Sequence, residues 1–461
     1  MNADTNALAR TSTGPRERAG LPPGPRTPSA VQAAAWALRP LDFMQRCEAR
    51  YGELFTLRVR RRRPWVLVTN PEHAKQVFTK APELMGAGAG EANPLLGPLL
   101  GSSSVMLRDE PEHMGDRKRL LPSFHGTRME GYGEMMVGVA RREIERWPLG
   151  EPFALWPRMQ AISLEVVMRA VFGEVESERL QRLRERLVEL TNWVNHPRRL
   201  ALLAAVGQRS LTARPKFKAV MRPVEELVLE EVHRRRADGE NHGQETILAM
   251  LEAGYGEDGV PMSEKKTRDE LITLLSDGPT ATSLAWAFER LLRHPDKLER
   301  LRDEAVRGES EEYVDAVVKE TLRLCPAVPV VMRRLVEPMQ LGGNLLPADT
   351  IVAPCVYLMH RRADIYPRPL EFLPERFLGE GAGTYTWIPF GGGVRRCVAA
   401  SFAPLEMRRV IQTVLREVEL RPAGARSEGP ARSSVSFAPD GGALVVAAKR
   451  ESVDSGARAV A

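Results

Sequence analysis

The chain has 461 residues, 43% of them hydrophobic and 27% charged, a balance ordinary for a soluble globular protein with a large core. No apolar run approaches the roughly 20 residues a membrane span needs, and the polar first twenty residues hold no signal-peptide core. The net charge of +6 permits an acidic protein partner but does not indicate nucleic acid, because the densest basic run, Arg60 to Arg63, has no aromatic platform beside it.

Residues 1–20 read as a disordered tail, ended by the stiff turn Leu21-Pro22-Pro23-Gly24-Pro25-Arg26. Apolar alternation at Leu54–Val59 and Trp65–Thr69 predicts short strands, with Arg60 to Arg63 as a solvated hairpin tip. Asn70-Pro71 starts a helix, Asn as N-cap and Pro at the first position. From about 110 to 323 the pattern is dominantly helical. There, His113 and Arg117 lie four apart on one helix face, which by itself fits an exposed pair as well as a binding pair.

The longest helix is predicted over 263–292, from Ser263 and Glu264 to just before His294-Pro295. Pro279 falls in its middle, where it removes a bond to the Leu275 carbonyl and costs about 3 kcal/mol in an ordinary helix. A second helix over 310–324 stops at Pro326 and sets Glu320 and Arg323 three apart, in isolation the spacing of an everyday surface ion pair. Strands and turns around Gly342-Gly343 fill 327–357, and an irregular Pro- and aromatic-rich meander fills 361–390. Helix returns at 398–417, with Pro404 predicting a kink, and short strands follow near 418–449. Residues 450–461 read as a loose tail. No linker or repeat divides the chain, so 21–449 reads as one domain, mainly α with small β sheets.

Cys47, Cys325, Cys355 and Cys397 have no paired spacing, which argues against a disulfide framework or a Cys-x-x-Cys metal site and fits a reducing cytoplasm. Cys397 stands apart. It ends Phe390-Gly391-Gly392-Gly393-Val394-Arg395-Arg396-Cys397, a glycine-rich loop directly before a helical pattern. A helix N-terminus and flanking arginines both favour the thiolate, and the glycines let the backbone approach a flat partner. A buried structural cysteine after a glycine turn is the plainer alternative.

The stretch F-G-x-G-x-R-x-C resembles the haem-binding signature of the cytochrome P-450 family. The resemblance implies a triangular, mostly helical haem-binding fold over about 21–449. It implies haem b held by the Cys397 thiolate, with Phe390 in the haem loop. Glu320, Arg323 and Arg376 of Pro374-Glu375-Arg376-Phe377 match the family's E-x-x-R and P-E-R-F elements and are implied to form a buried ion network. His113, Arg117, Arg333 and Arg395 match its contacts to the haem propionates. The implied activity is a monooxygenase of the soluble bacterial type. Electrons would come from a separate ferredoxin-type donor and its reductase, and the substrate would be a small hydrophobic molecule shaped by residues of about 81–105 and 190–215.

One departure touches the chemistry. Counting back from Trp286, Gly278 and Pro279 fall where the family carries the acid and alcohol that deliver protons during dioxygen cleavage. Asp277 and Thr280 are the nearest substitutes, each rotated about 100° around the helix axis. Ala399 also replaces the usual glycine two past the cysteine. Two other readings stay open: a haem-thiolate peroxygenase or isomerase that needs no such pair, and a haem-binding or sensing protein without turnover.

Overall fold

Helices make up most of the molecule, and the helix Pro279–Leu292 lies at its centre. Residues Thr280 to Glu289 are all buried, so this helix has no solvent face, the mark of a core helix. It packs on the helices Leu155–Phe172, Glu312–Leu324 and Phe402–Glu417 and on the strand Ser436–Pro439. The computed structural model describes residues 18–450 except 60–62, 89, 91–95, 174–176, 196–214, 239–245, 254–260, 277, 309, 380–382 and 434–435. The tip of the Arg60 to Arg63 run and most of the 190–215 stretch therefore lie outside the described residues, as does Asp277.

Among the described residues the strands form four small sheets. A five-stranded sheet runs in the order Leu54–Leu57, Trp65–Val68, Ile351–Pro354, Arg333–Leu335, Met85–Ala87. Its Trp65–Val68 and Ile351–Pro354 strands are buried on both faces and pair in parallel, Trp65 opposite Ile351. The hairpin Met339–Leu341 to Asn344–Leu346 turns through Gly342 (φ 55°) and Gly343 (φ 75°), both in the left-handed region that a tight two-residue turn requires. At the expected cap, the Asn70 side chain accepts from the backbone N–H groups of Glu72 (2.9 Å) and His73 (3.3 Å).

Three expectations change. Arg18–Ala19 form a strand parallel to Asn344–Leu345, so ordered chain begins inside the segment read as tail. The single helix over 263–292 is two, Glu264–Leu275 and Pro279–Leu292, and both are shorter than Pro215–Asp238 at 24 residues. Pro279 opens the second piece with Gly278 as its N-cap, where a missing N–H costs nothing because no carbonyl awaits it. Pro404 likewise sits in the first turn of Phe402–Glu417, so it starts that helix without kinking it. Among the described residues no helix is long and apolar enough to cross a membrane.

Candidate active site

The cysteine loop is shaped by its glycines. Gly391 (φ 69°) and Gly393 (φ 66°) are left-handed, and a Cβ on Gly393 would lie 2.2 Å from the Phe78 carbonyl oxygen. The loop is thus pressed against the end of the helix Pro71–Thr79. Its turn closes where the Cys397 N–H donates to the Phe390 carbonyl at 3.0 Å, while the Phe390 ring meets Trp387 edge-on. Cys397 is exposed; Cys47 and Cys355 are buried and Cys325 is half-buried. Burial pushes those three thiols up, to about 11 for Cys47 and Cys325 and about 12 for Cys355, so they stay protonated at neutral pH. Arg117, on the helix Glu112–Leu120, donates to the Arg396 carbonyl and stands within electrostatic reach of the Cys397 sulfur.

Beside the loop is a cluster of cations with little to neutralise it. Arg395 Nη1 donates to the Arg108 carbonyl at 2.8 Å, but its Nε and Nη2 are buried without a hydrogen-bond acceptor, and Glu110 Oε1 is 3.7 Å away. Among the described residues Arg333 donates only to carbonyls, of Met332 (2.9 Å) and Gly392 (3.4 Å). Burial, and then the charge of Arg395, push it down to about 9. His113 is buried with Nδ1 2.7 Å from Glu110 Oε1. Burial, and then Arg395, lower its pKa, so the ring is neutral and Nδ1–H donates to Glu110. The remaining Nε2 is then an acceptor, so a bond from His113 to a carboxylate requires a second proton. Two carboxylates of an added group would satisfy Arg395 and Arg333.

The ion network on the other side of the loop is complete. Arg323 Nε and Nη2 clasp Glu320 at 2.6 and 2.8 Å, and its other N–H groups donate to the carbonyls of His360 (2.7 Å), Pro369 (2.8 Å) and Glu371 (3.2 Å). Arg376 Nε donates to Glu320 Oε1 at 3.2 Å, and the Leu373 N–H to the same oxygen at 2.8 Å. Glu320 and Arg323 have no exposed side-chain surface. Sequence reasoning missed His360. The Ile388 N–H donates to its Nε2 at 2.9 Å, so Nδ1 carries the proton and donates to the Arg323 carbonyl at 3.2 Å. Burial pushes this ring down to about 3, and it stays neutral while tying the network to Ile388, two residues before the loop. Its one sequence signal, a lone histidine after an apolar run, is common in cores.

The helices Glu264–Leu275 and Pro279–Leu292 form the roof that the family resemblance implies over the haem, and Thr280 is buried in the first turn of the second. Ser276 and Ser283 hydroxyls turn back on their own helices, donating to the carbonyls of Ile272 (2.7 Å) and Pro279 (3.0 Å). The Thr282 hydroxyl is buried without a hydrogen-bond partner.

A family model, "Cytochrome P450", matches residues 20–444. The Mycobacterium tuberculosis protein named "Putative cytochrome P450 135B1" is 39% identical over 439 residues, 92% of this chain and 91% of that one. Another from the same organism, "Putative cytochrome P450 137", is 36% identical over 444 residues, again 92% and 91%. Two solved structures share the fold. The retinoic acid bound cyanobacterial CYP120A1 has TM-score 0.78 and 23% identity, over 94% of this chain and 100% of that one. The cytochrome P450DA heme domain has TM-score 0.80 and 20% identity, over 95% and 99%. The chain belongs to the cytochrome P450 family, haem-dependent oxidoreductases of the monooxygenase class.

Proposed function

We propose that this protein is a haem-thiolate monooxygenase that inserts one oxygen atom of dioxygen into a hydrophobic organic substrate, with electrons from a ferredoxin-type donor and its reductase. The observation that carries the reading is the pairing of one exposed cysteine on a glycine loop with the unsatisfied guanidinium of Arg395. Cys397 would ligate the iron of haem b, and Arg395, Arg333 and Arg117 would neutralise its two carboxylates. His113 would join them only as the imidazolium. Glu320, Arg323 and Arg376 hold the meander that delivers the loop and take no part in the reaction. The bound haem supplies the redox iron at which dioxygen is activated, with the thiolate donating electron density to it.

The test is optical. Reduced protein under carbon monoxide is expected to show the long-wavelength band typical of thiolate ligation, and Cys397→Ala is expected to abolish it completely. A band that survived in Cys397→Ala would move the ligand to another sulfur and sink the assignment. Gly278-Pro279 in place of the acid and alcohol favours a second reading, turnover driven by peroxide alone. Product formed with peroxide but not with dioxygen plus electrons would select it.

A further inference from the structure

The segment 101–108 joins two parts of the site that no motif connects. At its start, four side chains of the roof helix Glu264–Leu275 hold it, those of Lys265, Asp269, Glu270 and Thr273. The Ser103 N–H donates to Asp269 Oδ2 at 2.9 Å and the Val105 N–H to Glu270 Oε1 at 2.8 Å, while the hydroxyls of Thr273 and Ser104 lie 2.8 Å apart. Gly101 is left-handed (φ 84°), and a Cβ there would sit 2.2 Å from the Asp269 carboxylate, so the close approach needs glycine. At its end, the Arg108 carbonyl accepts from Arg395 of the cysteine loop. One stretch of backbone thus runs from the roof to the cation cluster.

The two roof carboxyls are 1% and 0% exposed, and the second oxygen of Glu270 is buried without a hydrogen-bond partner. The groups around Glu270 are mixed in sign. Asp116, fully buried on the helix Glu112–Leu120, faces it and pairs with Lys266 of the roof helix. Arg108 of the loop reaches Asp116 at 3.9 Å. Asp269 pairs with Arg268, which also meets Glu225 of Pro215–Asp238 at 3.1 Å, and Lys265 donates to the Ser102 hydroxyl at 3.1 Å. An ionised Glu270 would therefore stand unsolvated near two carboxylates, those of Asp116 and Asp269, with only the Val105 N–H and Lys266 to offset them.

We propose that Asp269 and Glu270 are positioning residues that latch the 101–108 segment onto the roof helix, and that the latch loosens as Glu270 gives up its proton. Burial, and then Asp116, push this carboxyl up to about 8 in the closed arrangement, against 4.5 for a glutamate in water. The closed form binds the proton more tightly, so protons favour closure. The latch is at full strength below about pH 4.5 and weakens up to about tenfold per pH unit as pH rises. Above about pH 8 both forms are ionised and the dependence ends. The segment overlaps the 81–105 stretch proposed to shape the substrate pocket, so loosening would widen access to it. That consequence rests on the monooxygenase reading; the latch does not.

Hydrogen exchange read by mass spectrometry on the full-length, haem-loaded protein tests it between pH 5.5 and 9. Rates for the 101–108 peptide are corrected for intrinsic base catalysis and referenced to a peptide from Glu312–Leu324. The natural protein should show corrected exchange rising at least tenfold from pH 6 to 8 and then levelling. Glu270→Gln keeps the Oε1 acceptor without a titrating proton, so its segment should stay protected at every pH. Glu270→Ala should be unprotected throughout; should it fail to fold, the glutamine variant decides alone. A flat profile in the natural protein, or the same rise in Glu270→Gln, overturns the proposal whether or not the protein oxidises any substrate.

Discussion

Two groups of buried arginines flank the cysteine loop, and they differ in how completely they are satisfied. Every N–H of Arg323 has an acceptor, and both oxygens of Glu320 are used. Arg395 instead lowers the affinity of Arg333 for its proton and has only the loosely placed carboxylate of Glu110, and two N–H-bearing atoms of Arg395 are buried with nothing to bond. A complete network of this kind holds a fold together. An incomplete one costs stability, and it persists where a ligand supplies what is missing. The contrast separates residues that build the site from residues that receive the cofactor, although both sets are buried arginines near one loop.

The largest effect should come from breaking the complete side. Arg323→Ala leaves Glu320 buried with only Arg376 and the Leu373 N–H, and losing one partner of a buried ion pair typically costs about 3–5 kcal/mol. Thermal unfolding of the variant, freed of haem and loaded with it, should show the loss in both states, and little haem should be retained. If the haem-loaded variant melted with the natural protein, the network would be ornamental and the contrast void.

Arg395→Gln sharpens the same contrast, because its two effects should have opposite signs. Without haem, removing a buried and poorly bonded guanidinium should leave stability unchanged or raise it by about 1 kcal/mol. With haem, losing a charge-assisted contact of about 1.5–3 kcal/mol should weaken retention by roughly ten- to a hundredfold. Melting of the haem-free variant and the rate of haem transfer to an acceptor protein measure the two. Equal destabilisation with and without haem would make Arg395 an ordinary structural arginine.

Much of this was legible in the chain because it is local. Phe390 to Cys397, Glu320 with Arg323, and Pro374 to Phe377 each carry their information within eight residues, and the Asn70 cap lies one residue before its helix. What stayed hidden depends on pairings across the chain. His360 acts through Arg323 and Ile388, and Glu270 holds a backbone N–H 165 residues away, contacts that no spacing rule encodes. Proline misled for a different reason. It both breaks helices and opens them, so Gly278-Pro279 reads as damage until the turn at Ser276 shows two helices meeting there. Burial also hides charge balance: nothing in the sequence tells that Arg323 is saturated and Arg395 is not.

The smallest effect concerns the roof, which belongs to neither arginine group and should change chemistry without changing haem retention. Because Pro279 is the first residue of its helix, Pro279→Thr adds an N–H that water or the preceding turn can accept, and the fold should tolerate it. Gly278 has open space around its Cα, so Gly278→Glu has room for its side chain. We expect the natural protein to consume more electrons than it forms product, releasing peroxide, because a general acid must stand within hydrogen-bond reach of the atom it serves. Carried together, the two substitutions should raise the product-to-electron ratio about twofold to tenfold, a small share of the roughly hundred- to ten-thousandfold that a well-positioned general acid contributes. The substrate should be one without hydroxyl groups, found by optical titration, since a substrate hydroxyl could carry the proton itself. Thr280→Ala supplies the counterpart: a fall in the ratio would place the natural relay on that hydroxyl. Tight coupling in the natural protein, unmoved by either change, would show that protons reach the site by a path that does not use this turn of the roof.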